Sequence, residues 1–156
     1  GGCTGAGRAG GEISHIVYTI DNTTKTRAIF EINKGTNWDS QIDVNAFVRP
    51  EERRVPIPNM IYVADGPSDV PVFSVVNLFG GRTFAVFDPH NQAAFKQVNK
   101  LQQQGRVQSF GPADYSPGTT THLWITNAVE EIAERIIHDR QEALHKAVGK
   151  APQHLD

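Results

Sequence analysis

Two closely spaced aspartates follow a run of apolar residues and could bind a metal ion. The run from Ile61 to Ala64 leads directly into Asp65, and Gly66 to Ser68 separate it from Asp69. If the run is a strand of a parallel α/β sheet, Asp65 lies at the strand tip, on the edge where such sheets bind ligands. Mg²⁺ prefers a few carboxylates together with water and phosphate oxygens. The same residue types are also common in turns, where Asp69 would be a helix N-cap. The spacing therefore leaves both a metal site and a structural turn open.

A family resemblance favours the metal interpretation. The segment from Met60 to Pro71 resembles the fourth motif of the haloacid dehalogenase-like (HAD) phosphatases, in which two acids after a strand hold the catalytic Mg²⁺. Residues Gly80 to Phe87 and Gly111 to Tyr115 are similar to later strands and loops of one HAD branch. The likeness covers about residues 15 to 140. It implies that the two aspartates are metal ligands.

The resemblance also assigns a role to a lysine. Residues Thr24 to Arg27 and Phe30 to Gly35 resemble the segment that carries the third HAD motif, whose lysine steadies the phosphoryl group. Lys25 is the candidate for that role, and Lys34 competes with it. A lysine in the first turn of a helix is unfavourable to the helix dipole, which points to a purpose for Lys25. The competing interpretation is a solvated loop lysine.

The sequence departs from the HAD pattern at its most important motif. The HAD nucleophile is an aspartate in an Asp-x-Asp-x-Thr pattern, and this pattern occurs nowhere in the 156 residues. The second motif, a Ser or Thr, would also lie upstream of Lys25. We therefore expect the carboxyl-terminal half of a HAD fold, truncated or abridged, in which hydrolysis would depend on metal-activated water.

Composition and charge exclude several classes of protein. Fifteen basic and 17 acidic residues nearly cancel, so no basic field attracts nucleic acid or a membrane surface. The single cysteine, Cys3, cannot form an internal disulfide, which fits a reducing compartment. No apolar run is long enough to cross a membrane, and the start lacks the regions of a signal peptide. The expectation is a soluble cytoplasmic protein.

The first residues are unusually rich in glycine. Gly5, Gly7 and Gly10 form a literal Gly-x-Gly-x-x-Gly. A dinucleotide site needs a strand before this motif and a helix after it, whereas here only the first four residues precede it and a β-branched run follows. We therefore predict a flexible tail over residues 1–12 and a single domain over residues 13–156.

Hydrophobic periodicity and turn residues predict alternating strands and helices. The predicted strands are Ile13–Ile20, Met60–Ala64, Thr83–Phe87 and Val107–Phe110. The predicted helices are Lys25–Lys34 with Gly35 as C-cap, about 69–80, about 92–104 and about 121–149, with a long loop over residues 36–59. This alternation predicts an α/β fold with a parallel sheet flanked by helices. With the resemblance, we expect a truncated HAD-like (Rossmannoid) sheet with a long C-terminal helix.

Other candidate residues carry weaker signals. Asp88 follows one predicted strand and Asp114 ends another, so either could reach the same edge, although both stand in ordinary turn sequences. The six histidines lack zinc-ligand spacing, and no Gly-x-Ser-x-Gly elbow occurs.

The predicted function is that of a Mg²⁺-dependent phosphatase-like domain acting on a phosphorylated small molecule. Asp65 and Asp69 would bind the metal, and Lys25 would hold the phosphoryl group. The alternative is a catalytically inactive oligomeric or regulatory module that retains the fold. Without a nucleophile strand beside it, the strand that ends at Ala64 has a bare flank, a state that proteins usually cover. We therefore expect the amino-terminal segment or a second copy of the chain to cover it, which predicts a homodimer or higher homo-oligomer.

Overall fold

The computed structural model describes residues 22–36, 41 and 43–149. Helices and strands alternate along these residues. The helices are α1 (Asn22–Lys34), α2 (Val70–Leu78), α3 (Gln92–Gln103) and α4 (Thr120–Val148). The strands are β1 (Ile61–Ala64), β2 (Arg82–Phe87) and β3 (Ser109–Pro112). The predicted strand Ile13–Ile20 and the predicted tail 1–12 lie outside the described residues.

The three strands form a parallel sheet in the order β1-β2-β3. This confirms the predicted α/β class with a parallel sheet flanked by helices. The central strand β2 is an almost continuous apolar run, as expected for a strand that is covered on both faces. Because all strands run in one direction, their carboxyl ends meet at one edge of the sheet. Asp65 follows β1 at that edge.

Helices cover both faces of the sheet. On one face, Ala85 of β2 packs with Phe73 of α2 and Val98 of α3. On the other face, the ring of Phe84 stacks at 4.8 Å on Trp124 of α4. Because neighbouring residues of a strand point to opposite faces, Phe84 and Ala85 place α4 across the sheet from α2 and α3.

Helix α1 begins three residues earlier than predicted. Asn22 to Thr24 have the composition of a turn, but they form the first turn of the helix. Ile29 of the helix is buried against α2, and tertiary packing of this kind can override a local preference for a turn. The predicted C-cap is confirmed: Gly35 has φ of 81°, and Thr36 N–H donates to Glu31 O at 3.0 Å, as in a Schellman motif.

Strand β3 lies two residues later than predicted. Val107 is apolar because it is buried in the core, but it stands before the strand. Between them, the side-chain amide of Gln108 donates to Gly81 O at 3.1 Å and accepts from Thr83 N–H at 3.4 Å. This side chain occupies hydrogen-bonding positions beside β2 that a longer strand would use, so ladder pairing begins only at Ser109.

The long helix α4 buries less of its apolar stripe than its periodicity predicts. Ala128 and Ile132 are buried, whereas Val129 is 52% exposed and Ile137 is 56% exposed. A narrow three-stranded sheet contacts only one line along the helix. Among the described residues, no helix combines the length and the apolar character that a bilayer crossing requires.

The i, i+4 spacing of Glu131 and Arg135 on α4 predicts an ion pair between them, and this prediction is wrong. Glu131 instead accepts from Arg82 of β2 at 2.7 Å. Arg135 donates to Pro58 O and to Asn59 Oδ1, both at 2.7 Å. These two side chains therefore do not bind each other. They attach α4 to β2 and to the segment before β1.

Candidate functional site at the carboxyl edge

The two aspartates after β1 have different surroundings. Asp65 directly follows the strand and is exposed. The chain then turns through the short 3-10 helix Pro67–Asp69, in which Asp69 N–H donates to Gly66 O at 3.1 Å. Asp69 is only 1% exposed. It precedes α2 as an N-cap residue would, but its carboxylate makes no capping bond to the described backbone of that helix.

The buried carboxylate of Asp69 is instead bound by two side chains from other elements. Lys25 Nζ of α1 lies 2.7 Å from Asp69 Oδ1. The Tyr62 hydroxyl of β1 donates to the same oxygen at 2.8 Å. The other oxygen, Oδ2, has the Ser68 hydroxyl at 3.5 Å, at the limit of a hydrogen bond. One carboxylate oxygen is thus fully engaged, and the second retains acceptor capacity.

Tyr62 reaches Asp69 because of its position in β1. Its ring packs edge-on against Phe73 of α2, with the ring centroids 5.6 Å apart. Burial of the phenol, its hydrogen bond to Asp69 and the negative charges of Asp69 and Asp65 together raise the pKa of Tyr62 well above its usual value. The phenol therefore stays protonated and donates to the carboxylate.

Asp65 stands three residues after Tyr62 in the chain, and its negative charge is the smallest of the causes that raise the pKa of Tyr62. Both aspartates act on Tyr62, so two carboxylates share the neighbourhood of one phenol at the end of β1. Among residues 22–36, 41 and 43–149, no group of three or more His, Cys, Asp or Glu side chains lies within reach of one metal ion. The candidate oxygen donors at this edge are the exposed carboxylate of Asp65 and Oδ2 of the buried Asp69. Mg²⁺ is usually bound by one or two carboxylates and keeps several of its waters.

The two candidate lysines lie at opposite ends of α1. Lys34 Nζ donates to Val44 O at 2.6 Å and to Ala46 O at 2.8 Å, so it anchors the segment that follows the helix. Lys25 lies at the carboxyl edge of the sheet beside Asp69. Of the two, only Lys25 is placed where a ligand at that edge could meet it.

The other two candidate acids make local turn contacts. Asp88 Oδ1 accepts from His90 N–H at 2.9 Å. Asp114 accepts from both the backbone and the side chain of Ser116, and these bonds lower the pKa of its carboxyl. Both residues have the structural roles that their turn sequences favour.

Sequence reasoning missed Tyr62 as a member of the site. Its signal is the strand alternation itself: residues 62 and 64 share the face on which α2 packs, and the turn back to Asp69 leads into that helix. A tyrosine side chain on that face is long enough for its hydroxyl to reach Asp69 at the end of the turn. A strand-face analysis could therefore have identified Tyr62 beside Asp69.

Comparisons with known proteins leave the family of this chain open. No protein-family model matches it, and no solved structure matches it. An uncharacterized protein of Borreliella burgdorferi is 37% identical over 120 residues. The aligned region is 75% of this chain but only 39% of that relative. The chain therefore spans well under half of the length of the protein that it resembles.

Proposed function

We propose that this chain is a HAD-like, Rossmannoid α/β domain in truncated or abridged form, with a half-site for Mg²⁺ and a phosphoryl group. The observation that carries the proposal is the contact between Lys25 and Asp69, which are 44 positions apart in the sequence. The exposed acid Asp65 follows β1 at the same edge of the sheet. A cation and two carboxylates at the carboxyl edge of a parallel sheet stand where α/β proteins bind ligands.

In this proposal, the aspartates bind the metal ion and the lysine binds the phosphoryl group. Asp65 and Oδ2 of Asp69 would hold Mg²⁺, which would neutralise the charge of the phosphoryl oxygens. Lys25 has three N–H donors, and its contact with Asp69 uses one of them. Its side chain is 32% exposed, so the remaining donors can reach a phosphoryl oxygen at the surface. Tyr62 fixes the orientation of Asp69.

Hydrolysis by this half-site would be slow. Asp-x-Asp-x-Thr is absent from the 156 residues, so the chain offers no aspartyl nucleophile of the HAD kind. Water would have to attack the phosphorus directly, and the chain's own residues would contribute positioning and charge neutralisation. The proposed activity is accordingly weak phosphomonoester hydrolysis, and the substrate is a phosphorylated small molecule.

A second function is favoured by the burial of Asp69. A carboxylate that is 1% exposed and bound by two donors also serves as a structural latch between α1 and β1. On this alternative, the chain is a catalytically inactive oligomeric or regulatory module that retains the fold.

Turnover of p-nitrophenyl phosphate separates the two functions. The wild type is expected to show slow, Mg²⁺-dependent hydrolysis that Asp65→Ala abolishes. Asp88→Ala is the matched control, because Asp88 is also an exposed acid that directly follows a parallel strand. Its activity should stay at the wild-type level.

Two results would reject the catalytic proposal in favour of the inactive module. One is a rate equal to the buffer background in the wild type. The other is an equal loss of activity in Asp65→Ala and Asp88→Ala, because such a loss would not be specific to the proposed metal ligand.

A further inference from the structure

A pocket lies at the opposite end of the sheet from Asp65 and Asp69. Helix α4 crosses the sheet: Thr121 donates to Pro112 O at the end of β3, and Arg135 donates to Pro58 O before β1. Its second half and the segment before β1 enclose a pocket of about 770 Å³.

Three arginines line this pocket: Arg53, Arg135 and Arg140. Arg135 is held in place, because its Nη2 donates to Pro58 O and Asn59 Oδ1. A guanidinium has five N–H donors in a rigid fork, so this anchoring leaves other donors of Arg135 for a ligand. A pre-oriented arginine can bind an oxyanion at a lower entropic cost than a freely rotating one.

Arg53 carries the clearest sign of a missing partner. Its Nε is buried, and it has no acceptor among the described residues. A buried charged donor without an acceptor is costly, so native structures normally satisfy it. Because Arg53 also lines the pocket, an anion there could meet the outer nitrogens of the same guanidinium and offset its unpaired charge.

The balance of charge and apolar surface indicates the kind of ligand. The lining holds three arginines and two acids, Glu51 and Asp139, which gives a net charge of 3 − 2 = +1. Within the described part of the chain, neither acid forms an ion pair with any of the three arginines. The remaining lining is largely apolar, namely Pro50, Pro56, Pro58, Ile136 and Ala143.

We propose that this pocket binds a small organic oxyanion, in which a phosphate or carboxylate group meets the arginines and an apolar body lies against the prolines and Ile136. Arginine suits this role because its fork matches the geometry of carboxylate and phosphate oxygens. The site is separate from the carboxyl edge and does not depend on the function proposed for that edge.

Calorimetric titration with phenylphosphonate, a non-hydrolysable probe, tests the proposal. EDTA is included so that Mg²⁺ cannot recruit the probe to Asp65 and Asp69. The wild type is expected to show saturable binding. Arg53→Gln and Arg140→Gln should each weaken it about tenfold, as loss of one charge-assisted bond implies. Lys96→Gln, an exposed charge change on α3, should bind like the wild type.

A variant at the other site and an uncharged probe complete the test. Lys25→Ala should bind phenylphosphonate normally, and benzyl alcohol should not bind. Circular dichroism verifies that every variant is folded. The proposal is overturned if the wild type shows no saturable binding, if benzyl alcohol binds equally well, or if Lys25→Ala loses binding while the arginine variants keep it.

Discussion

Asp69 is the residue at which three elements of the carboxyl edge meet. Its carboxylate joins the turn before α2 to Lys25 of α1 and to Tyr62 of β1. A buried carboxylate is costly unless it is paired and hydrogen-bonded, and these two donors offset that cost. The same contacts fix the orientation of the acid, so stability and the proposed ligand binding depend on the same atoms.

Removing the lysine should leave this carboxylate without its cation. We expect Lys25→Met to lower the free energy of unfolding by about 1–3 kcal/mol, less than for a fully buried pair because Lys25 is partly exposed. Urea unfolding at neutral pH measures the change. The control is Lys96→Met, an exposed lysine of α3, which should change stability by less than about 0.5 kcal/mol. Equal effects of the two substitutions would mean that the Lys25–Asp69 contact contributes no stability.

Tyr62 should make stability depend on alkaline pH. Its folded-state pKa is raised above the ordinary value of 10.0, so the folded protein retains a proton that the unfolded chain releases. The resulting stabilisation is fully present below pH 10 and is lost as the pH rises toward the folded pKa. Tyr62→Phe should remove this dependence and cost about 1–2 kcal/mol at neutral pH.

Absorbance of phenolate near 295 nm provides a direct test of Tyr62. The chain has three tyrosines. In the folded protein, Tyr62 should remain protonated at a pH above 10. In Tyr62→Phe this late-titrating phenol should be missing. If the wild type and the variant gave the same late titration, the raised pKa would belong to another tyrosine.

At the scale of elements, α4 approaches β3 very closely at its first turn. Thr121 is fully buried, and its hydroxyl donates to Pro112 O. The approach requires a residue without a side chain at Gly111, because a Cβ there would lie 2.6 Å from Thr121 Oγ1 and 3.0 Å from Phe84 Cζ. Gly111 thus allows the helix to pack onto the sheet.

A methyl group at this position should disturb that packing. We expect Gly111→Ala to destabilise the protein by about 1–3 kcal/mol, the usual cost of overpacking a core. Thermal or urea unfolding measures the effect. Gly66→Ala is the matched control, because a Cβ at Gly66 meets nothing within 4 Å and its φ of 175° is open to any residue. A Gly111→Ala protein as stable as the control would show that α4 can shift without cost.

At the scale of the whole molecule, β1 lies at one edge of the sheet that the described residues form. A cleft of about 360 Å³ runs between this strand and α1, and its lining is mostly apolar, from Ala28, Ile29 and Ile32 to Met60 and Ile61. An edge strand that lies beside apolar side chains favours the addition of another strand. This geometry supports the proposal that the amino-terminal segment or a second copy of the chain covers β1.

The expected outcome is a homodimer at micromolar concentration in size-exclusion chromatography with light scattering. Ile61→Lys should shift the protein toward the monomer, because it places a charge in the cleft. Leu78→Lys, at a position that is 77% exposed on α2 and outside the cleft, should leave the dimer intact. A compact monomer in the wild type would contradict the proposed assembly.

Local patterns in the sequence predicted most of the backbone. The apolar runs of β1 and β2, the amphipathic spacing of α3 and the glycine that ends α1 are each encoded within a few neighbouring residues. The position of Asp65 at a strand tip followed from the same local pattern. The register of β3 did not, because the contacts of Gln108 with Thr83 and Gly81 join residues more than 20 positions apart.

The sequence by itself therefore determined the parallel α/β class and brought attention to Asp65, Asp69 and Lys25. Only the tertiary structure decided that Lys25 and Tyr62 share one oxygen of Asp69, and that Arg135 binds Pro58 across 77 positions rather than Glu131 four residues away. The physical reason is that periodicity and turn chemistry act on neighbours along the chain. A buried polar group takes the partner that packing brings to it, wherever that partner stands in the sequence.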